Sequence, residues 1–268
     1  MNERSISPKY NWAHGVKYEA YMGRWSRLMA REFLSWLNVP AGKAWLDVGC
    51  GTGALSQTIL QIAAPAKVKG IDQSDGFIAF AKEQVQDSKV EFEVGDAMSL
   101  NIASGEFDTT VSGLVLNFIP KPERTISEMA RVTHPGGIAA AYVWDYAGKM
   151  EFIRYFFNAA KELDPKAADV DEGPRFPICQ PDVLGKHFEA AGLHQVEVNP
   201  LEIPTTFRNF DDYWNPFLGG QGPAPAYTLS LNEENRAKLR ERLRKILPIA
   251  EDGSIPLIAR AWAVRGFR

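Results

Sequence analysis

Residues 44–54 read Ala44-Trp45-Leu46-Asp47-Val48-Gly49-Cys50-Gly51-Thr52-Gly53-Ala54, and a helical pattern, ALSQTILQIA, follows directly. A short apolar run that breaks into alternating glycines and then a helix predicts a strand, a tight turn and a helix N-terminus. Backbone N–H groups there are open to close approach by a ligand. Working outward, KVKGID, DGFIAFAKEQVQ and VEFEVGD continue the alternation as strand, helix and strand. FDTTVSGLVL is a fourth strand, 123–132 a helix, His134-Pro135-Gly136-Gly137 a turn and IAAAYVWDY a fifth strand. This alternation predicts a doubly wound α/β fold around a mostly parallel sheet.

The glycine pattern alone also satisfies a dinucleotide fingerprint, because Asp72 follows Gly49 by 23 residues, near the spacing of a ribose-binding acid. Asp47 separates the two readings. A carboxylate two residues before the first glycine would repel a pyrophosphate, whereas it suits a cationic ligand, and S-adenosylmethionine carries a sulfonium and an α-ammonium beside an adenosine. Asp72 then accepts from the ribose hydroxyls with Gln73 beside it, and Asp96 accepts from the adenine amino group. Ala97 and Met98 follow, placed to cover one face of the adenine or simply to fill core. Gly113, Leu114 and Asn117 follow the fourth strand, where the open end of the sheet faces the reacting methyl group.

LDVGCGTG, GID and GDA, with FDTTVSGLVLNFI and ISEMARVTHPGG, resemble the ordered motifs of the class I S-adenosylmethionine-dependent methyltransferases. The resemblance covers residues 43–145, with His134 standing where Lys is usual before Pro-Gly-Gly. It implies a seven-stranded sheet whose last strand, here IPLIARAWAVRG, is antiparallel. It also implies S-adenosylmethionine as cofactor and S-adenosylhomocysteine as product. YEAYMGRWSR is similar to the N-terminal helix of the small-molecule methyltransferases of ubiquinone and menaquinone synthesis. That likeness implies that Tyr21 and Arg24 approach the cofactor carboxylate.

The remaining text fills out a single domain over 1–268. A helix over 17–37 comes first, with Tyr18, Tyr21, Met22, Trp25, Leu28, Met29, Phe33, Trp36 and Leu37 at steps of three and four. The cofactor half covers 43–145, looser helical and irregular cap insertions cover 146–230, and a last helix and strand cover 231–268. Ser230 and Glu233 have capping-box spacing. Fifteen of the 30 aromatic residues fall between Tyr142 and Tyr227, which predicts an apolar or aromatic small-molecule pocket under a cap. RAKLRERLRK, residues 236–245, reads as the solvated face of that last helix.

Composition narrows the function classes. The chain has 268 residues, 30 basic and 33 acidic, for a net charge of −3, which gives no electrostatic footprint for nucleic acid. Two cysteines, Cys50 and Cys179, are too few for a disulfide framework, and the four histidines lack metal-ligand spacing. The N-terminus has no apolar core segment, and the longest hydrophobic run, Ile138 to Trp144, is far short of the ~20 residues of a membrane span. These features predict a cytoplasmic enzyme acting on a small-molecule acceptor, without membrane insertion. His14, Asp145 and Tyr146 are the candidates for removing a proton from that acceptor. Two alternatives remain open at this point: a non-catalytic S-adenosylmethionine-binding protein, and an NAD(P)-dependent oxidoreductase in which Asp47 is structural.

Overall fold

The computed structural model describes residues 23–219 and 222–268. Its helices and strands alternate through the first half of the chain as α1 (Arg24–Leu37), β1 (Ala44–Val48), α2 (Ala54–Ile62), β2 (Lys67–Asp72), α3 (Asp75–Gln84), β3 (Val90–Val94), β4 (Phe107–Gly113), α4 (Pro122–Val132) and β5 (Thr133–Trp144). The second half adds α5 (Glu151–Leu163), α6 (Glu172–Arg175), α7 (Pro181–Ala190), β6 (His194–Pro204), α8 (Phe210–Trp214), α9 (Pro223–Ser230), α10 (Glu233–Ile246) and β7 (Ile258–Phe267). Short 3₁₀ turns at Leu116–Phe118, Pro165–Val170, Pro177–Cys179 and Asn215–Leu218 join them.

One seven-stranded sheet runs in the order β3-β2-β1-β4-β5-β7-β6. Strands β1 to β5 pair in parallel, and β7 is antiparallel to both β5 and β6. The chain order reverses between β1 and β4, leaving a crevice at their carboxyl ends, where open α/β sheets bind ligands. Alternation along β1 divides the core: Trp45 joins the cluster built on α1 and α2, while Leu46 and Val48 join Met129 and Val132 of α4 on the other face. Asp47 shares the face of Trp45 and meets α2 rather than α4.

Helix α1 buries Trp25, Met29, Phe33 and Leu37 as its periodicity predicts, and leaves Leu28 exposed. The capping residue of α10 differs from expectation. Asn232 takes that place, its Oδ1 accepting from the backbone N–H of Asn235 at 2.8 Å, whereas Ser230 Oγ donates back to the Tyr227 carbonyl at 2.7 Å. Asn is as good a cap as Ser, and Leu231 lets the α9 backbone finish before α10 begins. The basic run is absorbed by neighbours: Arg242 meets Glu162, Arg240 meets Asp211, and Arg236 caps the carbonyls at the end of α9. No helix among the described residues is long and apolar enough to cross a membrane.

Candidate functional site

The turn after β1 is held to the end of β2. Backbone N–H groups of Gly49 and Cys50 both donate to the Ile71 carbonyl, at 2.7 and 2.9 Å. Gly49, Gly51 and Gly53 all have positive φ, at 74°, 53° and 84°. A Cβ at Gly49 would come within 2.5 Å of Val115 Cγ1, while one at Gly51 would meet nothing. The first glycine is therefore required by packing on the segment after β4, and Gly51 presents bare backbone to open space. Its N–H donates to Asp72 Oδ2 at 3.0 Å, tying the loop to the second predicted acid.

A cavity of about 420 Å³ opens at this crevice, within the range of small-molecule sites. Asp47, Gly49, Gly51, Asp72 and Gln73 line it from β1, the turn and β2, and Asp96, Ala97 and Met98 from the end of β3. Gly113 and Leu114 line it from the end of β4. The sequence reading thus places ten residues from four strand ends around one volume. Asp47 is 1% exposed; its Oδ2 accepts from Ser56 Oγ at 2.7 Å, and its Oδ1 has no hydrogen-bond partner. Burial raises its pKa to about 7, with the charge of Asp72 adding to the effect. Asp72 is raised too, chiefly by burial and against the N–H bonds of Ser74 and Gly51. Asp96 is exposed and accepts from the Met98 N–H at 2.8 Å. A buried carboxylate with one unsatisfied oxygen fits a cationic group, because a neutral or anionic ligand would leave its desolvation uncompensated.

Several lining residues lay outside the sequence reading. Phe77, Val115, Phe118, Ile119 and Pro120 make part of the wall apolar, Ser26 reaches it from α1, and Tyr142 reaches it from β5. Leu114 has φ of 61°, a left-handed conformation that a branched side chain rarely adopts, and its N–H donates to the Tyr142 carbonyl at 2.8 Å. The pairing of Gly113 with Tyr142 across β4 and β5 was the signal available in sequence, once the strand register was known.

Other expected positions lie outside the cavity lining or outside the described residues. Arg24 pairs with Asp212 at 3.1 Å and stacks between the rings of Trp25 and Phe207, at 4.5 and 4.6 Å, away from the cavity lining. Asp145 is 3% exposed and occupied by the Arg260 guanidinium at 2.6 Å and by the N–H groups of Gly148 and Lys149. Tyr146 is buried against Phe176. Asn117 is buried in the 3₁₀ turn, outside the lining, with its Nδ2 unpartnered. His14 and Tyr21 lie outside the described residues. Apart from Tyr142, the aromatic crowd does not line the cavity either: Phe152, Phe156, Phe207, Tyr213 and Phe217 stack on one another in an interior cluster. Each is 0% exposed, because rings from α5 and from the segment after β6 satisfy one another rather than a ligand. Among the described residues no three His, Cys, Asp or Glu side chains gather as a metal site.

Comparison with known proteins supplies independent support. Residues 46–141 match the family model described as a methyltransferase domain. The chain is 35% identical over 179 residues to a demethylmenaquinone methyltransferase of Bacillus licheniformis, covering 62% of this chain and 76% of that protein. A Bacillus cytotoxicus protein of the same name is 26% identical, with 73% and 87% covered. Phosphoethanolamine N-methyltransferase 2 of Haemonchus contortus, solved with S-adenosylhomocysteine, shares the fold at a TM-score of 0.57 and 16% identity, over 94% of this chain and 57% of that one. The [4+2]-cyclase SpnF shares it at 0.54 and 20% identity, over 90% and 80%. The oxidoreductase reading thus falls, and the protein is an enzyme whose cofactor is S-adenosylmethionine. The chain belongs to the class I S-adenosylmethionine-dependent methyltransferases, the family that includes the demethylmenaquinone methyltransferases it resembles.

Proposed function

We propose that this methyltransferase acts on a small, largely apolar or aromatic acceptor that binds against the ends of β4 and β5, with the cofactor along β1, β2 and β3. The observation that carries this reading is the division of the cavity wall. Three carboxylates, Asp47, Asp72 and Asp96, stand at three successive strand ends on one side, and Leu114, Val115, Phe118, Ile119 and Pro120 stand on the other. The name of the Bacillus relatives, demethylmenaquinone methyltransferase, points to an acceptor of the same chemical class.

The cofactor, when bound, supplies a methyl group on a cationic sulfur that is already activated toward nucleophiles. The chain's own residues do the rest. Asp47 balances positive charge with its unpartnered Oδ1, Asp72 accepts from the ribose hydroxyls with Gln73 alongside, and Asp96 accepts from the adenine amino group. Ala97 and Met98 cover the adenine face. Gly49 and Gly51 keep the turn free of side chains, so that backbone lies next to the ligand. The apolar side excludes water and orients the acceptor, which is the main contribution open to a protein when the donor is activated in advance. The whole chain works as one domain in this reading, since β7, from its far end, pairs between β5 and β6.

Calorimetry tests the placement. S-adenosylhomocysteine binds the wild type, and Asp72→Ala weakens it by about tenfold or more, the loss of two charge-assisted hydrogen bonds. The loaded protein then binds 1,4-naphthoquinone and not unmodified tRNA. Tight binding of tRNA with no binding of apolar small molecules contradicts the proposal.

A further inference from the structure

Among the described residues the cavity wall carries three carboxylates, Asp47, Asp72 and Asp96, and no Lys, Arg or His side chain. Asp47 is the most deeply buried of the three, and its partner, Ser56, is not part of that wall. Ser56 lies in the first turn of α2 and is 0% exposed. Its Oγ donates to Asp47 Oδ2 at 2.7 Å, and its backbone N–H also favours the ionised carboxyl. Gly53, which opens α2, has no side chain to cap the helix, so a carboxylate from β1 serves its free N–H groups. The helix N-terminus favours negative charge at that place. The other oxygen, Oδ1, is left buried and unpartnered in a residue that lines the cavity.

The groups that face Asp47 do not supply a counter-charge. Asp72, from the end of β2, opposes its ionisation, and the Cys50 thiol of the glycine turn is itself held neutral by burial and by both acids. Tyr142 shares the sheet face of Asp47, through the pairing of Asp47 with Val111 and of Gly113 with Tyr142. From α1, Arg27 donates to Gln57 of α2 at 3.4 Å and Arg24 to Asp212 at 3.1 Å. We propose that Ser56 is a positioning residue for the methyl donor: by engaging Oδ2 it keeps the Asp47 carboxyl charged and leaves Oδ1 for the cationic part of S-adenosylmethionine. This rests on the reading that the cofactor lies along β1, β2 and β3, and it adds a residue that does not itself line the site. Burial works to neutralise Asp47, and the Ser56 hydroxyl is the strongest influence against it. A neutral donor suits the task. A Lys or Arg at this place would pair with the carboxylate and spend the negative charge that the ligand needs.

The test follows S-adenosylmethionine affinity by calorimetry between pH 6 and pH 9 in the wild type, Ser56→Ala and Ser56→Cys. In the wild type the affinity falls on the acid side of about pH 7. Ser56→Ala moves that fall upward by about one pH unit, so the variant binds several-fold more weakly at pH 7 and matches the wild type by pH 9. Ser56→Cys, close in shape but a weak donor, moves it in the same direction and decides the matter if the Ala variant does not fold. The α-ammonium of the ligand titrates alike in all three proteins, so the displacement belongs to Asp47. In an Asp47→Asn background Ser56→Ala leaves the affinity unchanged. A loss by one constant factor at every pH, or an equal loss in the Asp47→Asn background, overturns the proposal and makes Ser56 a packing residue. Wild-type affinity that does not vary between pH 6 and pH 8 overturns it as well, while leaving the cofactor placement intact. A wild type that binds no S-adenosylmethionine at any pH overturns that placement and this inference together.

Discussion

Asp47 shows how a single carboxyl can couple stability, pH and ligand. Burial raises its pKa to about 7, so the folded protein holds a proton that the unfolded chain has released by pH 5. Stability therefore falls as pH rises from about 4 to about 7, and the full penalty, up to about 4 kcal/mol, persists above that. Asp47→Asn removes it. Urea midpoints should show the variant gaining on the wild type between pH 5 and pH 8, and an unchanging gap would mean that the carboxyl is solvated in solution. Glu172, raised to about 8 by burial and with an unpartnered Oε2, should give the same sign on Glu172→Gln over a window reaching about one unit higher. The ligand reverses the preference. If Asp47 balances cofactor charge, S-adenosylmethionine affinity should weaken as pH drops below 7, approaching about tenfold per unit at the steepest. A flat affinity between pH 6 and pH 8, read by calorimetry, would remove Asp47 from that role.

Each element owes its place to residues that differ in how openly the sequence displays them. Gly49→Ala should destabilise the protein by about 1–3 kcal/mol in urea, since it combines a positive φ with a Cβ 2.5 Å from Val115 Cγ1. Asp171→Ala should cost about 3–5 kcal/mol, because the 1%-exposed carboxylate neutralises Arg154 and Lys161 of α5, and removing it strands the 14%-exposed guanidinium. A loss under about 1 kcal/mol would show that water reaches that pair. Most strands and helices of residues 44–144 were legible because short apolar runs alternate with helical periodicity and glycines mark the turns, but the turn expected at 134–137 is taken into β5, which runs from Thr133 with its register to β4 shifted between Phe107 and Thr109. The acids at the ends of β1 to β3 were legible for the same reason, each at a strand end. The pairing of Arg24 was not legible because its partner, Asp212, lies 188 residues away, beyond any local pattern. The pairing of Asp145 was not legible either, since Arg260 reaches it across the antiparallel pairing of β5 and β7. Tyr142 was overlooked because only the β4–β5 register brings it over Gly113.

At the scale of the molecule, the chain spends its first five strands building a crevice and its second half covering β5 to β7. The aromatic residues of that second half belong to its stability, with Phe152, Phe156, Phe207 and Phe217 packed at centroid distances of 4.4 to 5.2 Å. The apolar part of the cavity wall comes chiefly from the few residues after β4. A ligand that binds only the folded state adds about 2.7 kcal/mol at one hundred times its Kd. S-adenosylhomocysteine at that concentration should raise Tm by about 5–10 °C in a chain of this size. The measurement that bears most directly on the account is transfer of an isotopically labelled methyl group from S-adenosylmethionine, offered 1,4-naphthohydroquinone and unmodified tRNA side by side. The account predicts label in the naphthalene product and its near loss in Asp72→Ala. Label in the tRNA, with none in the small molecule, would contradict it.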